Sequence, residues 1–206
     1  MKRWIISLFA VVFAVSLFGC ASNDASSSSS QSSSSEAASD AAGDIHGIAG
    51  PISKPPIACT KKATVGNVSV MVPEDWSAEV GLGGYLAIET DNNVVHGTIS
   101  IDESDMNASN SDEEIMVYVN ETTERVASNG FTVDEGLKVE RKGDLAYVIV
   151  PFSAVQQDQE GKDQSYWGYS LCGYDNELII ADFSSKEQNN DILQTFRWIL
   201  ENIQVG

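Results

Sequence analysis

The chain of 206 residues carries 30 Asp plus Glu against 12 Lys plus Arg, a formal net charge of −18, and is 42% hydrophobic and 20% charged. These proportions fit a globular body and exclude collagen, a coiled coil and a wholly disordered chain. The acidic balance also excludes nucleic acid as a partner, because a phosphate backbone requires a basic surface.

Lys2 and Arg3 precede an uncharged run from Trp4 to Phe18, followed by Gly19-Cys20. A positive start, an apolar stretch and a small residue form a secretory signal pattern. At ~1.5 Å per residue the run reaches roughly 22 Å, short of the ~30 Å hydrocarbon core, so it is not read as a permanent transmembrane helix. Leu17-Phe18-Gly19-Cys20 resembles the lipobox of bacterial lipoproteins. The resemblance implies a signal peptide over 1–19, removed just before Cys20. It implies that the Cys20 thiol receives a diacylglycerol, and that the new amino group can take an acyl chain such as palmitate. The expected location is the extracytoplasmic face of a cell membrane, with the membrane itself as a partner through the lipid.

Eleven serines occur between Ser22 and Ser39. Such a stretch cannot bury enough apolar surface to offset its ordering entropy, so residues 20–56 are expected to be a flexible tether with a coil reach on the order of 33 Å.

From Ile57 to Gly206 the pattern changes to that of one domain, with a net charge of 9 − 26 = −17. Val68, Val70 and Val72 alternate with Ser69 and Met71 as in a half-buried strand, stopped by Pro73-Glu74-Asp75-Trp76. Strand-like runs at Tyr85–Glu89 and Val94–Ile101 flank a turn at Asp91-Asn92-Asn93. Ser111 with Glu114 three residues on forms a capping box that opens a helix. Its apolar stripe includes Ile115, Val119 and Val126, and Asn129-Gly130 stops it. Hairpins are expected from Phe131–Glu140 with Leu145–Phe152, and from Ser165–Leu171 with Leu178–Phe183. A last helix spans about 190–202. Leu145–Val150 and most of Leu178–Phe183 are apolar on both strand faces, which places them centrally under two layers. The expected fold is α+β: a mainly antiparallel sheet of six to eight strands with a helix on each face.

This order, with Val68-Ser-Val-Met-Val-Pro-Glu-Asp-Trp76 near its start and Phe196-Arg-Trp198 in the last helix, resembles the PsbP-like fold. That group includes the extrinsic PsbP proteins of photosystem II and bacterial lipoproteins of the DcrB kind. The resemblance implies an accessory or binding role with no shared catalytic centre, and it carries over no site residue.

Catalytic signatures are sparse. His96 is the one histidine of the predicted domain, and Gly168-Tyr-Ser-Leu-Cys172 departs from a nucleophile elbow at its last position and in its strand setting. Gly81-Leu-Gly-Gly84 lacks the third glycine and the helix of a dinucleotide site, and no zinc motif occurs, so no cofactor is expected. The oxygen-rich segment 102–114 has Asn110 and Met116 where a calcium loop of the EF-hand type needs glycine and a bidentate acid, and reads as a solvated loop. Trp76 and Tyr85 are candidate ligand-binding aromatics on a half-open sheet edge formed with the Val68 and Thr98 strands, beside a packing role for the same rings. With Cys20 lipidated, Cys59 and Cys172 remain to form a disulfide, credited with roughly 4 to 5 kcal/mol. The expected function is therefore a lipid-anchored, non-catalytic accessory or binding protein of the cell envelope, whose partner is an envelope protein or small ligand. An envelope hydrolase using carboxylates or His96, and a cation-responsive module using residues 102–114, are the alternatives.

Overall fold

A computed structural model describes residues 52–128, 130–134, 136–157 and 161–206. The signal segment, Cys20, the tether up to residue 51 and Asn129 of the expected helix stop lie outside the described residues.

The alternating valines form β2 (Val68–Pro73), which pairs antiparallel with β1 (Cys59–Val65) across a turn where Gly66 takes φ 54°. Val68, Val70 and Val72 are at most 2% exposed and enter the core. β3 (Ser77–Val80), β4 (Leu86–Glu89) and β5 (Val95–Glu103) follow as a meander, and Asn93 adopts φ 54° in the β4–β5 turn, a conformation Asn tolerates. α1 (Asp112–Ala127) begins with the capping box formed: Ser111 Oγ accepts the Glu114 amide, and the Glu114 carboxylate accepts the Ser111 amide. β6 (Phe131–Val133), β7 (Glu140–Lys142), β8 (Leu145–Gln157), β9 (Asp163–Tyr174) and β10 (Glu177–Ser185) come next, then α2 (Asn190–Glu201) and β11 (Gln204–Val205). The Asn189 side chain caps α2 by accepting the amides of Asp191 and Ile192. Among the described residues no helix is long and apolar enough to cross a membrane.

The α+β class, the mainly antiparallel pairing and the helix on each face are as expected, but the strands divide into two sheets. β3-β4-β5-β10-β9-β8-β6 make the large one, with β7 also on β8; β1-β2-β11 make a small one. β2 is thus the middle of a separate sheet rather than an edge of the main one, because the last two-residue strand returns to cover it. The expected single strand over 131–140 is two short strands, β6 and β7, each paired with β8.

The large sheet is buried on one face throughout and on the other mainly over β8, β9 and β10, the β4 and β5 side chains there being largely half-buried. Odd-numbered residues of β5, β9 and β10, such as Ile99, Leu171 and Phe183, face one core together with Phe196 and Ile199 of α2 and the valines of β2. Even-numbered residues point to the other side, where the Tyr118 ring of α1 meets Tyr174 edge-on at 6.2 Å. Strand periodicity alone produces this segregation, since successive side chains alternate across a sheet.

Candidate functional site

The even-numbered face is apolar towards β8, with Val148 and Val150 buried, but becomes polar across β9, β10, β5 and β4. Ser170, Asp182, Thr98 and Ala87 form one cross-strand row, and Gly168, Ser184, His96 and Glu89 the next. Asp182 is 6% exposed and Ser170 4%. The Ser170 hydroxyl donates to Asp182 Oδ1 at 2.5 Å. Burial pushes the Asp182 carboxyl up from 3.8 to about 6, and the Ser170 hydrogen bond opposes that shift only in part. Half-buried His96 contacts Glu89 Oε1 through Nδ1 at 3.1 Å, and Ser184 Oγ reaches the His96 carbonyl at 3.5 Å.

Those contacts do not compose a nucleophilic relay. His96 and Ser170 sit on β5 and β9 with β10 between them, a separation on the order of 10 Å, whereas a base must lie within hydrogen-bond reach of its nucleophile. His96 is oriented by Glu89 instead, and the Ser170 hydroxyl donates its hydrogen bond to the Asp182 carboxylate and not to an imidazole. What the face offers chemically is an array of acceptors: two carboxylates and several hydroxyls. No Lys or Arg occurs in β3, β4, β5, β9 or β10.

Several expected site residues are placed elsewhere. Trp76 is 3% exposed and packs edge-on against Phe196 at 5.8 Å, so it belongs to the core and offers no ligand surface. The Pro73–Trp76 turn drives it inward: the Trp76 amide bonds the Pro73 carbonyl, and Lys61 Nζ holds the Trp76 carbonyl. Tyr85 is half-buried and lies across Gly81, where an added Cβ would come within 2.9 Å of its ring. Of the polar residues expected on the half-open sheet face, Ser69 and Thr98 are buried, at 8% and 9% exposure, whereas Ser100 is half-buried and Asn67 and Asp102 are exposed.

The expected Cys59–Cys172 disulfide is likewise corrected: both are free thiols. Cys59 packs on the α2 side, with Sγ on the Ile57 carbonyl, whereas Cys172 is an even-numbered residue of β9 whose Sγ reaches the Tyr174 hydroxyl on the α1 side. The large sheet stands between them, which no disulfide can span. Burial raises Cys59 to about 11 and Cys172 to about 12, so neither is an activated thiolate.

Segment 102–114 spends its oxygens on structure. Arg141 donates to the Ala108 and Asn110 carbonyls and pairs with Asp112 at 2.6 Å, while the Ser111 amide and hydroxyl hold the Glu114 carboxyl below its ordinary range. Among the described residues no group of three or more His, Cys, Asp or Glu side chains is placed to hold a metal ion.

Sequence reasoning passed over Asp182. The available signal was a single carboxylate inside the otherwise apolar run Leu178–Phe183, since an unpaired charge on a two-sided buried strand is costly unless it has a use.

No protein-family model matches the chain, and no curated protein matches it. Among solved structures, the solution structure of cyanobacterial PsbP (CyanoP) from Synechocystis sp. PCC 6803 is similar at 12% identity and TM-score 0.47, covering 68% of this chain and 87% of that one. A crystal structure of a protein from Bacteroides thetaiotaomicron VPI-5482 is similar at 13% identity and TM-score 0.44, covering 68% of this chain. The present chain spans 45% of that protein's length. At such identities and TM-scores neither a residue role nor a family passes across to this chain.

Proposed function

We propose that this chain is a lipid-anchored, extracytoplasmic accessory protein of the bacterial envelope that acts by binding and turns over no substrate. The observation that carries the anchor is Leu17-Phe18-Gly19-Cys20, which closes the uncharged run that follows Lys2-Arg3 and stands before a serine-rich stretch. A domain of net charge −17 gains nothing electrostatically at an anionic membrane surface, so retention there depends on acyl chains, at ~0.8 kcal/mol per buried CH₂. The non-catalytic reading is supported by the separation of His96 from Ser170 and by the burial of the Ser170–Asp182 pair, which keeps a scissile bond from the hydroxyl. Intact-mass measurement and membrane fractionation test the anchor: the wild type should carry a diacylglycerol and sediment with membranes, and Cys20→Ser should accumulate as an uncleaved or soluble form. An unchanged mature mass for Cys20→Ser defeats it. A hydrolytic activity abolished by Ser170→Ala or His96→Ala defeats the non-catalytic part.

A further inference from the structure

Thr98 and Asp182 face each other across β5 and β10, with Cβ atoms roughly 5 Å apart as in any directly opposed pair. Both side chains are more than nine-tenths buried, at 9% and 6% exposure. Among the described residues, Asp182 has a single hydrogen-bond partner, the Ser170 hydroxyl on Oδ1. Its Oδ2 has none, and neither has Thr98 Oγ1. The atoms that lack a partner and are sealed from solvent are instead Ser100 Oγ, on the same face, and Trp167 Nε1 on the opposite one. Asp182 Oδ2 and Thr98 Oγ1 are not among those sealed atoms, and the positions flanking them, Ala87 and Ser184, are half-buried. A buried carboxylate oxygen and a buried hydroxyl side by side, neither with a partner, are unusual, since buried polar groups are almost always paired.

We propose that Asp182 Oδ2 and Thr98 Oγ1 form a binding site for the ammonium group of a ligand, an inference that rests on the binding role proposed above. The chemistry at the position is complementary to a cation. Asp182 and Glu89 supply carboxylates, Thr98 and Ser184 supply hydroxyl oxygens, and none of the five strands around them carries a Lys or Arg. Among the described residues no Lys or Arg is paired with Asp182, and the positive partner proposed for it comes from outside the chain. The neighbouring positions on this face are small, Ala87 beside Thr98 and Ser184 next along β10 from Asp182, both half-buried, so a thin probe can approach over them. An ammonium is compact and brings three donors on a slender stem. A guanidinium is a wide planar fork suited to both oxygens of a carboxylate, and here Oδ1 is already taken by the Ser170 hydroxyl. A divalent metal is a poor fit, because no three-ligand group is assembled among the described residues. Binding a cation at Oδ2 also relieves the burial that opposes ionisation of Asp182.

The test is calorimetric titration of the full-length lipoprotein in non-ionic detergent at pH 7.5. Two ammonium probes are used: cadaverine, and an acetyl-Gly-Lys-Gly-amide peptide. Pentyltrimethylammonium serves as the analogue that has charge but no N–H donors. At least one ammonium probe should bind saturably, and Thr98→Val and Asp182→Asn, both near-isosteric, should each weaken it by tenfold or more while the circular dichroism stays that of the wild type. Binding of cadaverine alone assigns a free amine as the source; binding of the peptide alone assigns a protein lysine. The inference is overturned by absence of saturable binding to either probe, by equal binding of the quaternary analogue, or by binding unaffected in both variants. The Cys20 fractionation and the turnover assays do not depend on these titrations, so a failure of this site is distinguishable from a failure of the anchored binding role.

Discussion

Replacing Asp182 by Asn should stabilise the protein at neutral pH and leave it unchanged in acid. The Asn side chain keeps an oxygen to accept the Ser170 hydroxyl, and its amide can donate to the otherwise unpaired Thr98 Oγ1. In the folded state the Asp182 carboxyl titrates at about 6 instead of 3.8, because burial penalises its charged form more than Ser170 compensates. A carboxyl whose folded value lies above its unfolded value favours folding only while protonated. Its contribution is complete below 3.8 and is lost as the pH rises through about 6. At ~1.36 kcal/mol per pKa unit, the interval from 3.8 to about 6 corresponds to about 3 kcal/mol, an upper figure for the wild-type deficit above pH 7. The Asn variant has no such ionisation and escapes the deficit. Urea unfolding followed by tryptophan fluorescence, in steps from pH 4 to pH 8, reads the difference directly. The two proteins should agree within about 1 kcal/mol at pH 4, and the variant's advantage should grow to about 3 kcal/mol as the pH passes about 6 and then stay level to pH 8. A variant that is less stable than the wild type at pH 8, or a difference that does not change with pH, would refute the reasoning.

Other consequences concern thiols, packing and a glycine. Burial raises Cys172 from 9.0 to about 12 and Cys59 from 9.0 to about 11, so at pH 8 their native alkylation should be slowed roughly a thousandfold and a hundredfold against an unfolded thiol. Mass spectrometry after timed iodoacetamide should show Cys59 modified first, and both modified in urea without reductant; a recovered Cys59–Cys172 bridge contradicts their placement on opposite sheet faces. Trp76→Ala should cost about 3 to 5 kcal/mol in urea unfolding, whereas Leu82→Ser, at a position 101% exposed, should stay within about 0.5 kcal/mol. A Cβ at Gly168 would press into the Phe183 backbone carbonyl and come within 2.8 Å of the Phe152 ring, so Gly168→Ala should destabilise by more than about 3 kcal/mol or prevent soluble accumulation, measured by thermal melting.

Much of the architecture was legible in the chain because its causes are local. The capping box of Ser111 and Glu114, the Asn turn at residue 93, and the two-sided apolar runs on β8 and β10 each follow from residues within a few positions of one another. The resemblance to PsbP-like proteins rested on the same kind of short-range pattern. Where the outcome depended on distant partners, sequence reading stopped. Val68–Val72 announces a strand, but its place in a separate sheet depends on Gln204 and Val205 returning to it from the far end of the chain. Trp76 is as suited to a surface platform as to a core; Phe196, 120 residues later, decides for the core. Cysteine counting could pair Cys59 with Cys172 because it holds no information on which side of a sheet a thiol lies, and that side is set by register, where a shift of one residue exchanges the faces. The same holds for the polar centre. Period-2 alternation assigns Asp182, Thr98 and Ser170 to alternate positions within their own strands, but only antiparallel pairing across β5, β10 and β9 puts them in one row. Burial at that row, and not the identity of the aspartate, is what raises its carboxyl and leaves one of its oxygens without a donor.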